Sequence, residues 1–366
     1  MAGTVIHVHG QEKLRLRVPA GEVLGGRTAL VISQADIEAQ LRARLAELGG
    51  CIEWGREVTG VEQHPDGATT SFADGGTARC DWVVGSDGAG SRVRKSTGIR
   101  LVGDTGAERF LLADVQVELP VEQGFASMWV GTGGSLAALP LPGEARWRLM
   151  APAPSGEPDD IPAVRVLELL ISSLGDRVGS CVPRIRDVSW TSTFRVHRRL
   201  ASAYRCGRVL LAGDAAHVHS PTGGQGMNTG IGDAENLAFK LALVVGGRAE
   251  PALLHSYEAE RRPIAEAVVT SVGGVDKLLA SRNPLVAFVR EHLLYPAVNR
   301  PMIQQQIWRK ASQLHISYRH GPLAPTTGRR VDGRRSGDRV PDFPCQRPDD
   351  GGDTRLHAEL GGRGPS

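Results

Sequence analysis

The 366-residue sequence predicts an α/β protein in which a β-rich segment interrupts two strand–loop–helix units and a helical stretch follows. Three observations carry this. The apolar runs Trp82-Val83-Val84 and Val209-Leu210-Leu211-Ala212 each lead into a loop that pairs an acidic residue with glycine, Asp87-Gly88 in one and Gly213-Asp214 in the other. Apolar residues recur at helical spacing in 37–48 and 233–245. Between about 101 and 195 the pattern is short β-runs punctuated by proline and glycine, with one helix near 162–174.

The elements follow in order. Val5 to His9 and Leu14 to Val18 alternate with period two about Gly10, as a hairpin does. Ser33 with Asp36 three positions on makes a capping box for a helix with apolar positions Ile37, Leu41, Leu45 and Leu48, stopped by Gly49-Gly50. A strand meander is expected at Cys51–Trp54, Val58–Val61, Thr69–Phe72 and Thr77–Val84, with Pro65-Asp66-Gly67 and Asp74-Gly75-Gly76 as turns. The strand Val209–Ala212 precedes a helix from about Asp233 to Val245, apolar at 234, 237, 238, 241, 242 and 245 and ended by Gly246-Gly247. Residues 251–315 read as mostly helical, and from 321 the composition turns to that of a linker.

Composition excludes several classes. Hydrophobic residues at 41% and charged residues at 23% exclude a disordered or fibrous chain. No stretch nears the ~20 apolar residues of a membrane helix, and the N-terminus lacks the pattern of a secretory signal, so no membrane partner is expected. Five cysteines with no C-x-x-C pair argue against a disulfide framework or zinc module and fit a reducing, cytoplasmic setting. A net charge of +3 is too even for a nucleic-acid surface, and the arginine clusters at 92–95, 195–199 and 329–339 read as solvated faces or linker. His217-Val218-His219 and His7-Val8-His9 have no carboxylate or cysteine at ligand spacing, so no metal is expected. A P-loop fails because Arg94 stands before Lys95-Ser96 where glycine is required, and no G-x-S-x-G elbow is present.

The most informative segment runs from Gly213 to Asn228: Gly-Asp-Ala-Ala-His-Val-His-Ser-Pro-Thr-Gly-Gly-Gln-Gly-Met-Asn. In an open α/β sheet, ligands bind beyond the carboxyl ends of the strands. Glycine permits close backbone approach, and a carboxylate accepts hydrogen bonds from sugar-type hydroxyls. Three glycines in four residues before a helix leave backbone N–H groups for an anionic or electron-rich group. A ligand-free strand-to-helix loop is the alternative; the ordered Gly-Asp, His, Pro, Gly-x-Gly and Asn argue against it.

Together with Leu254-His255-Ser256-Tyr257-Glu258-Ala259-Glu260-Arg261-Arg262-Pro263, this segment resembles the FAD-dependent aromatic hydroxylases, the single-component flavoprotein monooxygenases. Val83 to Arg94 resembles their second fingerprint and Val31-Ile32-Ser33-Gln34 a third element. The similarity runs from about 25 to 345 and is closest to members acting on polyketide-like or phenolic rings. The resemblance implies an incomplete FAD/NAD(P)-binding, Rossmann-like domain with an inserted β-rich substrate domain and a helical C-terminal section. Residues 1–100 and 196–265 would form the FAD-binding domain, 101–195 the substrate domain, 266–320 the helical section, and 321–366 a linker and stub of a thioredoxin-like domain.

Residue roles follow from the resemblance. Asp214, after Gly213, would accept from the ribityl chain; Pro221 would lie near the isoalloxazine; and Gly224 to Asn228, with Gly226 and Met227 between, would offer N–H groups to its pyrimidine end. Asp87 and Gly88 would serve FAD and the nicotinamide coenzyme, Arg94 a phosphate, and Gln34 the FAD phosphates or ribityl chain. NADPH (or NADH) would reduce FAD, and O2 would add to give a flavin hydroperoxide that hydroxylates a small aromatic substrate. Phe125, Met128, Trp129, Trp147 and Trp190 are candidates for the ring-binding wall, or else ordinary core; no catalytic base emerges.

The sequence departs from the family at its start. The G-x-G-x-x-G turn of the first βαβ unit is missing; Gly88-Ala89-Gly90 ends with Val93 where the third glycine belongs. The expectation is a fragment of an active monooxygenase, with a truncated, catalytically inactive flavoprotein as the alternative. A related flavin epoxidase or halogenase is the other; a halogenase would need a lysine setting that the five lysines do not supply.

Overall fold

The structure, a computed structural model, describes residues 2–18, 32, 34–131, 134–158, 160–178, 184–220, 224–281, 283–324, 345–346 and 353–354. A hairpin of β1 (Gly3–Val8) and β2 (Gln11–Arg17) precedes helix α1 (Gln34–Glu47). Strands β3 (Val58–His64), β4 (Gly67–Phe72) and β5 (Thr77–Cys80) form a small antiparallel sheet. Next come β6 (Val83–Gly85), the short α2 (Arg92–Ser96), β7 (Leu101–Gln116), β8 (Phe125–Gly131), β9 (Gly134–Pro140), β10 (Arg146–Pro152), α3 (Ala163–Val178) and β11 (Asp187–Ala201). The chain continues through β12 (Arg205–Cys206), β13 (Val209–Leu211), β14 (His217–Val218) and five helices: α4 (Gly226–Val245), α5 (His255–Ala280), α6 (Pro284–Val289), α7 (Tyr295–Val298) and α8 (Pro301–Ala311). No described helix is long and apolar enough to cross a membrane.

An eight-stranded sheet in the order β14-β11-β7-β10-β9-β8-β1-β2 dominates. The N-terminal hairpin therefore extends the sheet built from residues 101–201, with β1 parallel to β8 and Ile6 opposite Met128. Its outer edge, β2, is closed by side-chain amides: Asn299 accepts from the Arg15 N–H and donates to the Lys13 carbonyl. Gln304 likewise accepts from the Arg17 N–H and donates to the Arg15 carbonyl. These bonds occupy backbone groups that an open edge would offer to another strand.

Alternation along the strands gives the sheet two faces. Trp147, Leu149 and Ala151 of β10 point to α3, where Val166, Leu170 and Leu174 complete a buried cluster. The opposite face meets the C-terminal helices: Tyr295 of α7 packs with Ile6, Val8 and Val130, and Gly273 of α5 lies against the Arg198 side chain. A second core joins β13, α4 and α5 through Leu210, Leu211, Leu237 and Tyr257.

The structure differs from the sequence reading at four places. Cys51–Trp54 forms no strand, and Trp54 stands 74% exposed. Thr77–Val84 is two strands in different sheets: β5 pairs with β4, while β6 pairs parallel to β13. Helix α1 forms, but its apolar face is bare: Leu41, Leu45 and Leu48 are exposed and no α1 side chain is buried; its Ser33 cap lies outside the described residues. Helix α4 starts at Gly226, well before the expected Asp233, and Ala234, Ala238, Ala242 and Val245 of the expected apolar stripe face outward. Its buried face carries Thr229, Asp233, Asn236, Leu237 and Lys240.

Candidate functional site

The wholly buried β13 runs into Gly213, whose φ of +59° glycine adopts without strain. Beneath this turn sits the buried Asp233 carboxylate. Its Oδ2 accepts from the Gly213 N–H at 3.1 Å and bonds His217 Nε2 at 2.6 Å; its Oδ1 accepts from Arg261 Nε at 2.8 Å. A carboxylate taken out of water needs such a set of donors and a countercharge. Arg261 also donates to the Thr229 carbonyl and the Tyr318 hydroxyl. Gly232 makes room for it, since a Cβ there would stand 2.8 Å from Arg261 Nη2. Tyr257 donates its hydroxyl to the Leu211 carbonyl at 2.7 Å, and burial pushes its phenol pKa upward, keeping the proton in place.

The other acidic–glycine loop is tied to this one. Asp87 Oδ1 accepts from Ser91 Oγ, and Oδ2 from the N–H groups of Arg92 and Val93, so both oxygens hold the start of α2. Gly88 takes a positive φ of 78° beside open space. Arg94 is not placed for a phosphate: it is 4% exposed, and its guanidinium donates to the carbonyls of Ala89 and Ala215, each at 2.8 Å. It bolts the two loops together, and burial lowers its pKa from the ordinary arginine value.

What remains open is the side of the 213–228 segment away from Asp233. Asp214 is exposed and makes no hydrogen bond among the described residues. Gly224 has a φ of +62° and open space where a Cβ would stand. Gln225 provides no side-chain cap, so the first-turn N–H groups at Gly226, Met227 and Asn228 begin a 20-residue helix uncapped. An exposed carboxylate, beside first-turn N–H groups that no side chain caps among the described residues at a positive helix end, fits the polyol chain and electron-poor-to-anionic ring of a flavin. Pro221 lies outside the described residues. Gln34 is the exposed first residue of α1 and donates to Glu38; no hydrogen bond among the described residues joins it to this segment.

The five ring-wall candidates separate. Phe125 is 3% exposed, with the Arg15 guanidinium 4.7 Å from its ring centroid, and is core. Trp129 and Trp147 belong to the α3 side of the sheet, 5% and 2% exposed, and are core rather than wall. Period two puts their neighbours, not them, on the face toward α5 and α7. Met128 is on that face, packed at the edge of the Tyr295 cluster. Trp190 is on it too, 45% exposed, with the Arg148 guanidinium 5.2 Å from its ring centroid.

The sequence reading places Asp233 only as a helix start and uses the 254–263 run only for the family resemblance, with no structural role for either. Glu258 accepts from the N–H groups of Tyr204 and Arg205, Glu260 pairs with Lys240 and Asn236, and Arg262 donates to the Ala201 carbonyl. A signal existed: Thr229, Asp233, Asn236 and Lys240 recur at helical spacing on one face of α4, opposite a helix whose opening carries Glu258 and Glu260 followed by Arg261-Arg262. Polar residues in register on two helices mark a buried network.

Comparison with known proteins places this architecture. Residues 3–272 match the model of the FAD binding domain family. The chain is 36% identical over 332 residues to 6-methylpretetramide 4-monooxygenase of Streptomyces rimosus, covering 88% of this chain and 59% of that protein. The solved anhydrotetracycline hydroxylase OxyS from Streptomyces rimosus superposes with a TM-score of 0.72 at 32% identity, over 94% of this chain and 66% of that one. The p-nitrophenol 4-monooxygenase PnpA from Pseudomonas putida also gives a TM-score of 0.72, at 25% identity, over 85% and 81%. The chain spans 59% to 66% of the length of the first curated relatives it matches. The mixed α/β fold, the matched domain and these relatives agree: the chain belongs to the FAD-dependent aromatic hydroxylase family of flavoprotein monooxygenases.

Proposed function

We propose that the protein hydroxylates an aromatic substrate, phenolic or polyketide-like, with FAD as cofactor and NADPH or NADH and O2 as co-substrates. The observation that carries this is the open side of the 213–228 segment, where the exposed Asp214 and the uncapped start of α4 share one loop held from below by Asp233. When bound there, the flavin supplies acceptance of two electrons from the nicotinamide and activation of oxygen. The chain's own part is to hold and orient. Asp214 would accept from the ribityl hydroxyls and the N–H groups at Gly226 to Asn228 would stabilise negative charge on the ring's pyrimidine end; Pro221 would serve beside the isoalloxazine, as the family resemblance implies. Asp87 and Gly88 shape the loop where the dinucleotide and nicotinamide coenzyme approach, with Gln34 toward the FAD phosphates.

The test is the visible absorbance of the purified chain after addition of excess FAD and desalting. Retained flavin colour, lost in Asp214→Ala, is the expected result; NADPH oxidation with labelled oxygen entering a phenolic product then reads turnover. A colourless wild-type chain refutes the reading that these loops hold flavin, and flavin retention without NADPH oxidation favours a catalytically inactive flavoprotein.

A further inference from the structure

The sheet face toward α5 and α7 carries a graded surface that the described helices leave partly open. Phe110 and Phe194 stack across β7 and β11, ring centroids 5.7 Å apart. Two residues further along the strands, Leu112 and Met150 are neighbours, flanked by the small side chains Ser192 and Ala137. Two further still come Trp190, Asp114 and Arg148 on adjacent strands. These rows share one side, because residues at even spacing along a strand do so. The side is opposite α3, since the intervening Trp147, Leu149, Leu111 and Ala113 fill the α3 core.

The last row is a built polar end to an apolar floor. Arg148 Nε and Nη2 donate to the two Asp114 oxygens at 2.7 and 2.9 Å, a bidentate pair that fixes the guanidinium plane. Trp190 lies under that plane at 5.2 Å, and Arg148 remains 39% exposed. Arg148 Nη1 makes no hydrogen bond among the described residues. Asp114 neutralises the charge, so the row offers oriented N–H donors to a carbonyl or phenol oxygen and disfavours a carboxylate, which Asp114 would repel. From the phenylalanine row to the arginine row is four residues of strand, ~13 Å at 3.3 Å per residue, the reach of a fused ring system and not of one phenol.

Resting on the hydroxylase reading above, we propose that Arg148, held by Asp114 and Trp190, determines substrate class: it selects fused polycyclic aromatics bearing a carbonyl or phenol oxygen at the end remote from the reacting ring. Met150 and Leu112 lie beneath the middle rings and the Phe110–Phe194 pair beneath the inner one.

The test is calorimetric titration of the full chain with 1,8-dihydroxyanthraquinone and with phenol, in wild type, Arg148→Lys and Trp190→Ala. Arg148→Lys keeps the countercharge of Asp114, so the fold stands, but removes the fork. The expected result is tighter wild-type binding of the anthraquinone than of phenol, and an affinity ratio between the two that falls about tenfold, ~1.4 kcal/mol, in each variant. An unchanged ratio overturns the assignment, since a merely structural role would weaken both ligands alike. A wild type that binds phenol but not the anthraquinone overturns the polycyclic selection and leaves the hydroxylase reading standing. Binding of neither ligand overturns the assignment, while flavin retention and NADPH oxidation decide the hydroxylase reading separately.

Discussion

Asp233→Asn tests whether the Gly213–Asp214 turn is held from below. The substitution keeps the volume, so no cavity arises, and removes the charge facing Arg261. An asparagine offers one acceptor oxygen to a site with three donors, the Gly213 N–H, His217 Nε2 and Arg261 Nε. In one amide orientation its NH2 faces Gly213 and His217; in the other it faces the guanidinium. Both leave a buried donor unmet, and both leave the Arg261 charge, 1% exposed, without its countercharge. Breaking a buried pair from one side costs about 3–5 kcal/mol, a large share of the roughly 5–15 kcal/mol that stabilises a domain. Urea unfolding of the flavin-free chain, followed by far-UV circular dichroism, reads this directly. With a slope near ~2 kcal/mol/M the midpoint falls by about 2 M. A midpoint within about 0.5 M of wild type, equivalent to ~1 kcal/mol at that slope, would refute the reasoning and reduce Asp233 to a bystander.

Arg94→Met separates the two roles considered for that residue. As the bolt between the Ala89 and Ala215 carbonyls, its loss costs the flavin-free chain about 2–3 kcal/mol of unfolding free energy; a phosphate ligand would instead leave stability intact and raise the KM for NADPH. His7 sets a pH dependence. Its ring stacks on Trp129 at 5.3 Å, and burial holds its pKa below the ordinary value of about 6.5. Between the folded value and the unfolded one the unfolded chain binds more protons, so stability rises with pH through that window and is lost on acidification. His7→Phe keeps the stacking and removes the titration. Urea midpoints at about pH 7 and pH 5 should therefore lie closer together in the variant, while equal shifts in both proteins would rule His7 out.

The parts legible in the sequence were those decided by local chemistry. The hairpin about Gly10, the two strands running into acidic–glycine loops and a helix after the 223–226 glycines, though not its start, all follow from residues within a few positions of each other. The family was legible for the same reason, since the 213–228 and 254–263 runs are linear motifs. What was not legible is which face of an element meets which neighbour. Counting apolar residues on α4 selects a stripe of which Leu237 and Leu241 meet the core while Ala234, Ala238, Ala242 and Val245 face outward. The buried stripe is polar because Asp233 finds Arg261, and Lys240 finds Glu260, on a helix later in the chain. On β8 and β10, period two separates Trp129 and Trp147 from Met128 and Arg148, but only α3 decides which set is core. Arg94 shows the same limit at one residue: its charge suggests a phosphate until the Ala215 carbonyl, far away in sequence, is brought to it.

Helix α5 ties the Gly213–Asp214 loop to the sheet face that carries Trp190 and Arg148. Its first turns carry Tyr257, Glu258, Glu260, Arg261 and Arg262, which hold β13, the β12 turn, α4 and the end of β11. Farther along, Val268 and Val272 are buried, and Gly273 meets Arg198 on the face that carries Trp190. Twenty-six residues make a rod of ~39 Å at 1.5 Å per residue, long enough to span both places. Pro263 sits inside it and removes one backbone hydrogen bond just after the Arg261–Arg262 anchors, so a bend there is the one adjustment the rod has near the loop. The loop and the sheet face are thus fixed relative to one another through buried side chains of α5. If α5 carries the coupling, Asp233→Asn should also change hydrogen-exchange protection around Gly273 and β11, because the helix that loses the countercharge of Arg261 at one end packs Gly273 against Arg198 at the other; protection changed only near Gly213 would refute it.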